Sequence, residues 1–160
     1  LCDTPGFMGG PDAERTALVR HISRIFVTGP KLDVPFFTIV LRKAYGLGGM
    51  AMGGGCFGGS LFAVAWPTGE FGSMGLEGQA RLAHRRTLEA IEDPVARKAK
   101  LTEYVDQLYA RNKAINIAPY LSIDDVIDPA QTRDWIVDGL RSARSATDRH
   151  DHAAAGTDTW

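Results

Sequence analysis

An α/β layered fold is what this sequence predicts, on three observations. Two apolar runs, VPFFTIVL from Val34 to Leu41 and LFAVAW from Leu61 to Trp66, are rich in β-branched and aromatic residues without clean alternation. That is the pattern of strands buried on both faces. Apolar residues at helical spacing fill the segments around them. Asp-Pro pairs at Asp93-Pro94 and Asp128-Pro129 mark helix starts, with Asp as the capping residue and Pro at the first helical position. Strands alternating with helices define the layered class.

Taken in order, Leu1-Cys2 reads as the end of a buried strand feeding a turn at Asp3-Thr4-Pro5-Gly6. A strand at the first residue, with no initiating Met, is expected of a piece of something longer. Asp12 is the expected N-cap of one helix over about Ala13 to Thr28, ending near Gly29-Pro30. Leu18, Ile22, Ile25 and Phe26 share its apolar face, with Arg15, Arg20 and Arg24 mainly on the other side. The Val34–Leu41 strand leads into RKAYGLGGMAMGGGCFGG, which holds eight of the 18 glycines. The Leu61–Trp66 strand closes at Pro67, Thr68 and Gly69. Met74 to Glu92 reads as a helix that stops at Asp93-Pro94. The helix capped there carries Leu101, Val105, Leu108 and Tyr109 on one face. A strand-like LSIDDVI, Leu121 to Ile127, precedes the last capped helix, AQTRDWIVDGLRSAR. From about Ser142 the chain is small and polar without periodicity, so residues 142–160 are expected to form a disordered tail and 1–141 the domain.

The chain has 160 residues, enough for one domain with a real core. Its 44% hydrophobic and 23% charged residues are ordinary for a globular protein. A net charge of −1 argues against nucleic acid as a partner. The longest early apolar run is too short to span a bilayer, and no signal peptide is visible. Two cysteines, Cys2 and Cys56, make neither a disulfide framework nor a metal pair. The default location is therefore the reducing cytoplasm.

The search for side-chain chemistry returns little. Gly46-Leu47-Gly48-Gly49-Met50-Ala51 fits a permissive dinucleotide pattern, with Glu70 near the distance of a ribose-binding acid. However, Arg42-Lys43-Ala44-Tyr45 separates the expected strand from the first glycine, where the fingerprint wants an immediate turn. No P-loop lysine follows any glycine. His21 and His84 fall on expected helices without metal or acid spacing, and His150 and His152 flank Asp151 in the tail. Cys56 has no neighbouring base, and no GxSxG occurs. The pair Asp124-Asp125 reads as a strand edge plus a loop. No metal site is expected.

What remains is backbone. Glycines at a helix start supply free N–H groups, a positive dipole end and close approach, which is what an oxyanion needs. The segment AYGLGGMAM after a buried strand has that layout, and the Asp3–Phe7 turn after another strand could supply a second donor. The alternative is that these glycines only permit tight packing of a helix on the sheet. On sequence alone both readings stay open.

The blocks DTPGFMGGPDAE, VPFFTIVLRKAYGLG, AWPTGEFGSMGLEG, EAIEDP and IDDVIDPAQTRDWI resemble the carboxyltransferase subunits of biotin-dependent acyl-CoA carboxylases, such as the acetyl-, propionyl- and methylcrotonyl-CoA enzymes. The likeness covers about Leu1 to Arg141. It implies a ClpP/crotonase-like ββα superhelix, here an incomplete C-terminal carboxyltransferase domain. It implies carboxyl transfer from carboxybiotin, tethered to a carrier protein and not attached to this chain, to the α-carbon of an acyl-CoA. Backbone N–H groups of the C-terminal domain would stabilise the biotin enolate, with the α-proton passing to biotin itself. Carried over, the resemblance assigns Leu47 and Gly48, with Gly6 and Phe7, as N–H donors. Tyr45, Gly46, Gly49, Met50, Ala65 and Trp66 would line the biotin side. The implied partners are an acyl-CoA, a biotin carboxyl carrier protein, a biotin carboxylase subunit and further copies of the chain, and a fragment alone is expected to be inactive. Leu47 departs from the RKAYGGA of propionyl-type members, and the glycines from Gly53 to Gly59 exceed the family pattern and have no assigned role. Two other readings stand beside it. One is a crotonase-type enoyl-CoA hydratase or isomerase with Glu70 or Glu77 as base. The other is a non-catalytic module that keeps the fold.

Overall fold

The computed structural model describes residues 1–32 and 34–143. Its centre is a nine-residue strand, β2 (Phe37–Tyr45). β1 (Cys2–Thr4) pairs with one side of it. On the other side β2 serves two short strands in succession. Phe37–Val40 pair with β3 (Phe62–Ala65), and Lys43–Tyr45 pair with β4 (Glu70–Gly72). β5 (Asp125–Val126) lies beyond β3. All these pairings are parallel.

Side-chain alternation on β2 divides the core. Val40 and Ala44 join Cys2, Ala63, Ala65, Phe71, Ala114 and Ile123 in one cluster. Ile39 joins Phe62, Val64 and Ile127 in another. Because both faces are covered, the strand's first five positions are apolar except Thr38, as expected for a parallel sheet between helical layers. Trp135 and Ile136 of α8 (Thr132–Ser142) close the second face. There Phe62 stacks on Phe37 at 4.7 Å and meets Trp135 edge-on at 5.4 Å. Burying each such ring contributes on the order of 1.5–3 kcal/mol.

The capped helices lie where their Asp-Pro signals place them. Asp93 accepts from the Val95 and Ala96 amides at the head of α6 (Pro94–Arg111). Asp128 and Gln131 form a reciprocal capping box before α8, with a single 3₁₀ turn at Pro129–Gln131 between. Four expectations are corrected. The helix over 13–28 is two, α1 (Pro11–Arg15) and α2 (Leu18–Thr28), because Ala17 adopts a left-handed conformation at φ 54° and the Thr16 hydroxyl bonds back to the Ala13 carbonyl. Asp12 is consequently not a cap; it lies inside α1 and pairs with Arg15. The helix over 74–92 is likewise two, α4 (Leu76–Ala83) and α5 (Arg85–Glu89), broken at His84, whose ring stacks on Tyr104 at 3.7 Å. The strand-like stretch at 121–127 contains only β5, preceded by Asp124, whose carboxylate and amide both pair with Ala63.

α3 (Gly46–Met52) and the short α7 (Ala114–Ile117) complete the helices. Among the described residues no helix is long and apolar enough to cross a membrane. The tail expected from Ser142 lies, from residue 144, outside the described residues, and so do His150, Asp151 and His152.

Candidate active site

β2 runs to Tyr45, and Gly46 opens α3 with no spacer. The Arg42–Tyr45 segment expected to separate strand from glycine is itself strand, because β4 supplies it with a second pairing partner. The spacing objection to a dinucleotide loop therefore falls. The reading fails instead at Glu70, whose carboxylate accepts a 2.8 Å hydrogen bond from the Tyr45 hydroxyl rather than standing free at a strand tip.

The two backbone turns singled out in the sequence meet. A Cβ on Gly48 would lie 2.8 Å from the Gly6 Cα and 3.3 Å from the Thr4 Oγ1, a separation that only glycine permits. Gly6, at φ 105°, sits in turn beside the Tyr45 carbonyl. The chain follows from local chemistry. β1 ends at Thr4, Pro5 and Gly6 turn it across the end of β2, and α3 departs from the same end. Asp3 holds β1 in place, accepting from the Arg42 side chain and the Lys43 amide. These bonds keep its carboxyl below the usual carboxylate range, the Arg42 hydrogen bond foremost. No side chain caps α3, and the first amides of any α-helix lack an acceptor within it.

Beside this junction lies an apolar cleft of about 440 Å³. Phe7 and Leu47 form one wall, and Leu18, Ile22 and Phe26 of α2 form the other. Leu47 is 60% exposed and Phe7 38% exposed, and α2 buries no residue completely. The apolar spacing of α2 was visible in the sequence as a packing face. Its role as a cleft wall was not, because periodicity marks an apolar face without saying what covers it.

The structure thus brings together Gly6, Phe7, Leu47 and Gly48. The other expected site residues stand around or away from them. Gly46 (φ 56°) packs under the Ser73 carbonyl, and Gly49 packs on the Ala44 carbonyl. Met50 is partly exposed on α3. Tyr45 is 2% exposed, its hydroxyl turned to Glu70. Ala65 is in the core, and the Trp66 indole donates to the Thr132 hydroxyl on α8. None of these six is a cleft-lining residue.

The later glycines have a structural role. Gly54 is left-handed at φ 77°, its amide bonds to the Ala51 carbonyl, and the Gly55 amide reaches the Met50 carbonyl. This is a Schellman stop for α3. It returns the chain to Phe57, which packs edge-on against Phe71.

Other chemistry is sparse. The Cys2 thiol is buried, pushed up chiefly by desolvation, and donates weakly to the Lys43 carbonyl; Cys56 is exposed. Among the described residues no cluster of three or more metal-binding side chains occurs. Glu77 is taken up by the Tyr109 hydroxyl at 2.8 Å.

Comparison with known proteins identifies the family of the chain. The family described as Carboxyl transferase domain matches residues 1–153. A propionyl-CoA carboxylase carboxyltransferase subunit from Haloferax mediterranei is 34% identical over 148 residues, covering 89% of this chain and 27% of that protein. The methylmalonyl-CoA carboxyltransferase 12S subunit of Propionibacterium freudenreichii subsp. shermanii is 38% identical over 141 residues, 88% of this chain and 26% of that one. The chain thus spans about a quarter of these relatives. Among solved structures, a transcarboxylase 12S hexamer with methylmalonyl-coenzyme A superposes at TM-score 0.80 with 31% identity, covering 99% of this chain and 30% of that one. A single-chain, multi-domain long-chain acyl-CoA carboxylase superposes at TM-score 0.75 with 50% identity, covering 86% of this chain and 13% of that one.

Proposed function

The chain belongs to the carboxyl transferase domain family, and on that premise we propose that it is the biotin-side half of an acyl-CoA carboxylase carboxyltransferase. Residues 1–141 would be the crotonase-like C-terminal domain. The reaction is carboxyl transfer between carboxybiotin, delivered on a separate carrier protein, and the α-carbon of an acyl-CoA. A biotin carboxylase subunit and further copies of the chain are the other proposed partners.

The observation that carries this reading is the Gly6–Gly48 contact, which sets two amide-bearing turns against each other at the edge of an apolar cleft. The residues present fit biotin: the walls are mainly apolar, with Glu14 and Ser23 as the polar side chains among them, and backbone amides stand at the cleft's edge. When bound, biotin brings the carboxyl group and takes up the transferred proton. The amides of Leu47, Gly48 and Phe7 would stabilise negative charge on its ureido oxygen, joined by that of Gly6, which here donates to the Thr4 hydroxyl at 3.4 Å. The strand ends hold the turns that carry these amides in place before charge develops. Leu18, Ile22 and Phe26 keep water from the charge, which strengthens each of these hydrogen bonds.

The hydratase reading with Glu70 or Glu77 as base is disfavoured, since both are bonded to tyrosines and neither lines the cleft; the carboxylate that does line it is Glu14 of α1. In a complete carboxyltransferase carrying this sequence, free biotin is expected to stimulate decarboxylation of malonyl- or methylmalonyl-CoA. An enzyme that turns over these thioesters without biotin dependence, or that hydrates an enoyl-CoA, overturns the assignment.

A further inference from the structure

Behind the opening of α3 stands a group of four polar side chains that carboxyl transfer does not call upon. Tyr45, the residue before Gly46, is almost fully buried, and its hydroxyl donates to the Glu70 Oε2 at 2.8 Å. Tyr109 on α6 donates to the Glu77 Oε1 of α4 at 2.8 Å, beside Tyr45. The Tyr109–Glu77 bond is exposed, whereas the Tyr45–Glu70 bond is part-buried, where a phenol and a carboxylate cost free energy unless they satisfy each other.

Glu70 is well anchored. It opens β4, whose residues pair with the last three of β2. The flanking backbone is tied to the junction of α6 and α7, with the Phe71 amide on the Asn112 carbonyl and the Ala114 amide on the Gly69 carbonyl. One residue beyond β4, the Ser73 carbonyl lies so close to Gly46 that a Cβ there would approach it to 2.7 Å. The β4 segment therefore holds the start of α3 at two points: Glu70 grips the Tyr45 hydroxyl, and Ser73 abuts Gly46. Burial, and then the Glu70 carboxylate, push the Tyr45 phenol far above its ordinary range, so it remains a donor throughout the working pH.

We propose that Glu70 is a positioning residue, which through the Tyr45 hydroxyl fixes the direction in which the opening amides of α3 point. The proposal rests on the reading of those amides as the charge-stabilising donors. Glu70 touches no cleft residue's reacting partner; it acts through another side chain. Misplacement of such donors by about 1 Å costs up to about 100-fold in rate, whereas acyl-CoA affinity, supplied by contacts elsewhere, is spared.

The test measures biotin-dependent methylmalonyl-CoA decarboxylation in a complete carboxyltransferase carrying this sequence. Glu70→Ala is expected to lower kcat between about 10- and 100-fold with KM for the thioester unchanged. Glu70→Gln is expected to restore kcat, because its amide oxygen accepts the same hydrogen bond. Tyr45→Phe, which removes only the hydroxyl, is expected to reproduce the Glu70→Ala loss and serves if that variant does not fold. Leu47→Pro runs alongside as the check on the donor reading. Full kcat in Glu70→Ala and Tyr45→Phe, where Leu47→Pro is inactive, overturns the positioning role and leaves the donor reading standing. Full activity in Leu47→Pro overturns the donor reading itself. Loss in Glu70→Gln equal to that in Glu70→Ala also overturns positioning, since it shows that the basicity of Glu70 matters and not its acceptor.

Discussion

Gly48 is where sequence and structure disagree on how to probe the site. Its φ is not left-handed, so alanine could adopt its backbone, and Gly48→Ala looks like a harmless change that keeps the N–H. The Gly6 Cα, 2.8 Å from where the Cβ would stand, makes it harmful. Backbone cannot yield as a flexible side chain does, so either α3 or the Gly6 turn must move. Gly48→Ala is accordingly expected to lose most biotin-dependent activity in a complete enzyme despite retaining its amide. Wild-type turnover would show that the two turns are not held in contact. Which glycine serves chemistry and which serves packing was not legible in the sequence, because both demands select the same residue. Gly54 illustrates the limit from the other side, its left-handed φ of 77° ending α3 in a way that spacing alone did not reveal.

At the scale of elements, the legible features were those with a local cause. The Asp-Pro caps of α6 and α8 needed only neighbouring residues, and the apolar runs of β2 and β3 needed only burial on both faces. The breaks at Ala17 and His84 escaped because each depends on a backbone conformation or a stacking partner distant in sequence. β4 escaped because three residues carry too little pattern, and it exists by pairing with the far end of β2. β1 is short too, and its anchorage should respond to pH. Asp3 is held below its ordinary pKa first by the Arg42 hydrogen bond and then by the Lys43 amide. A depressed folded pKa gives stability that is complete above the unfolded value of about 3.9 and lost as pH falls through the folded value. Protection of the Lys43 amide from hydrogen exchange should therefore fall below pH about 4 in the wild type and be low at every pH in Asp3→Ala, which has no acceptor. Because the ion pair is exposed, salt should weaken it. Identical protection in both proteins would remove Asp3 as the anchor.

For the molecule as a whole, the α/β class and the carboxyl transferase relationship were both legible, the first from periodicity and the second from five blocks in a recognisable order. The cleft was not, because it is assembled from a turn near residue 7, α2 and Leu47. Those segments are separated in the chain, and only the topology of β1 and β2 brings them together. The central claim, that this junction offers backbone amides to developing charge, is tested most directly at Leu47. Its side chain is largely exposed, so its replacement disturbs little packing. Proline in the first turn of a helix is tolerated yet removes the N–H, whereas alanine keeps it. In a complete carboxyltransferase, Leu47→Ala should retain most biotin-dependent decarboxylation, and Leu47→Pro should lose about 100-fold or more in kcat, the scale of removing one such donor. Equal rates for the two folded variants would contradict it.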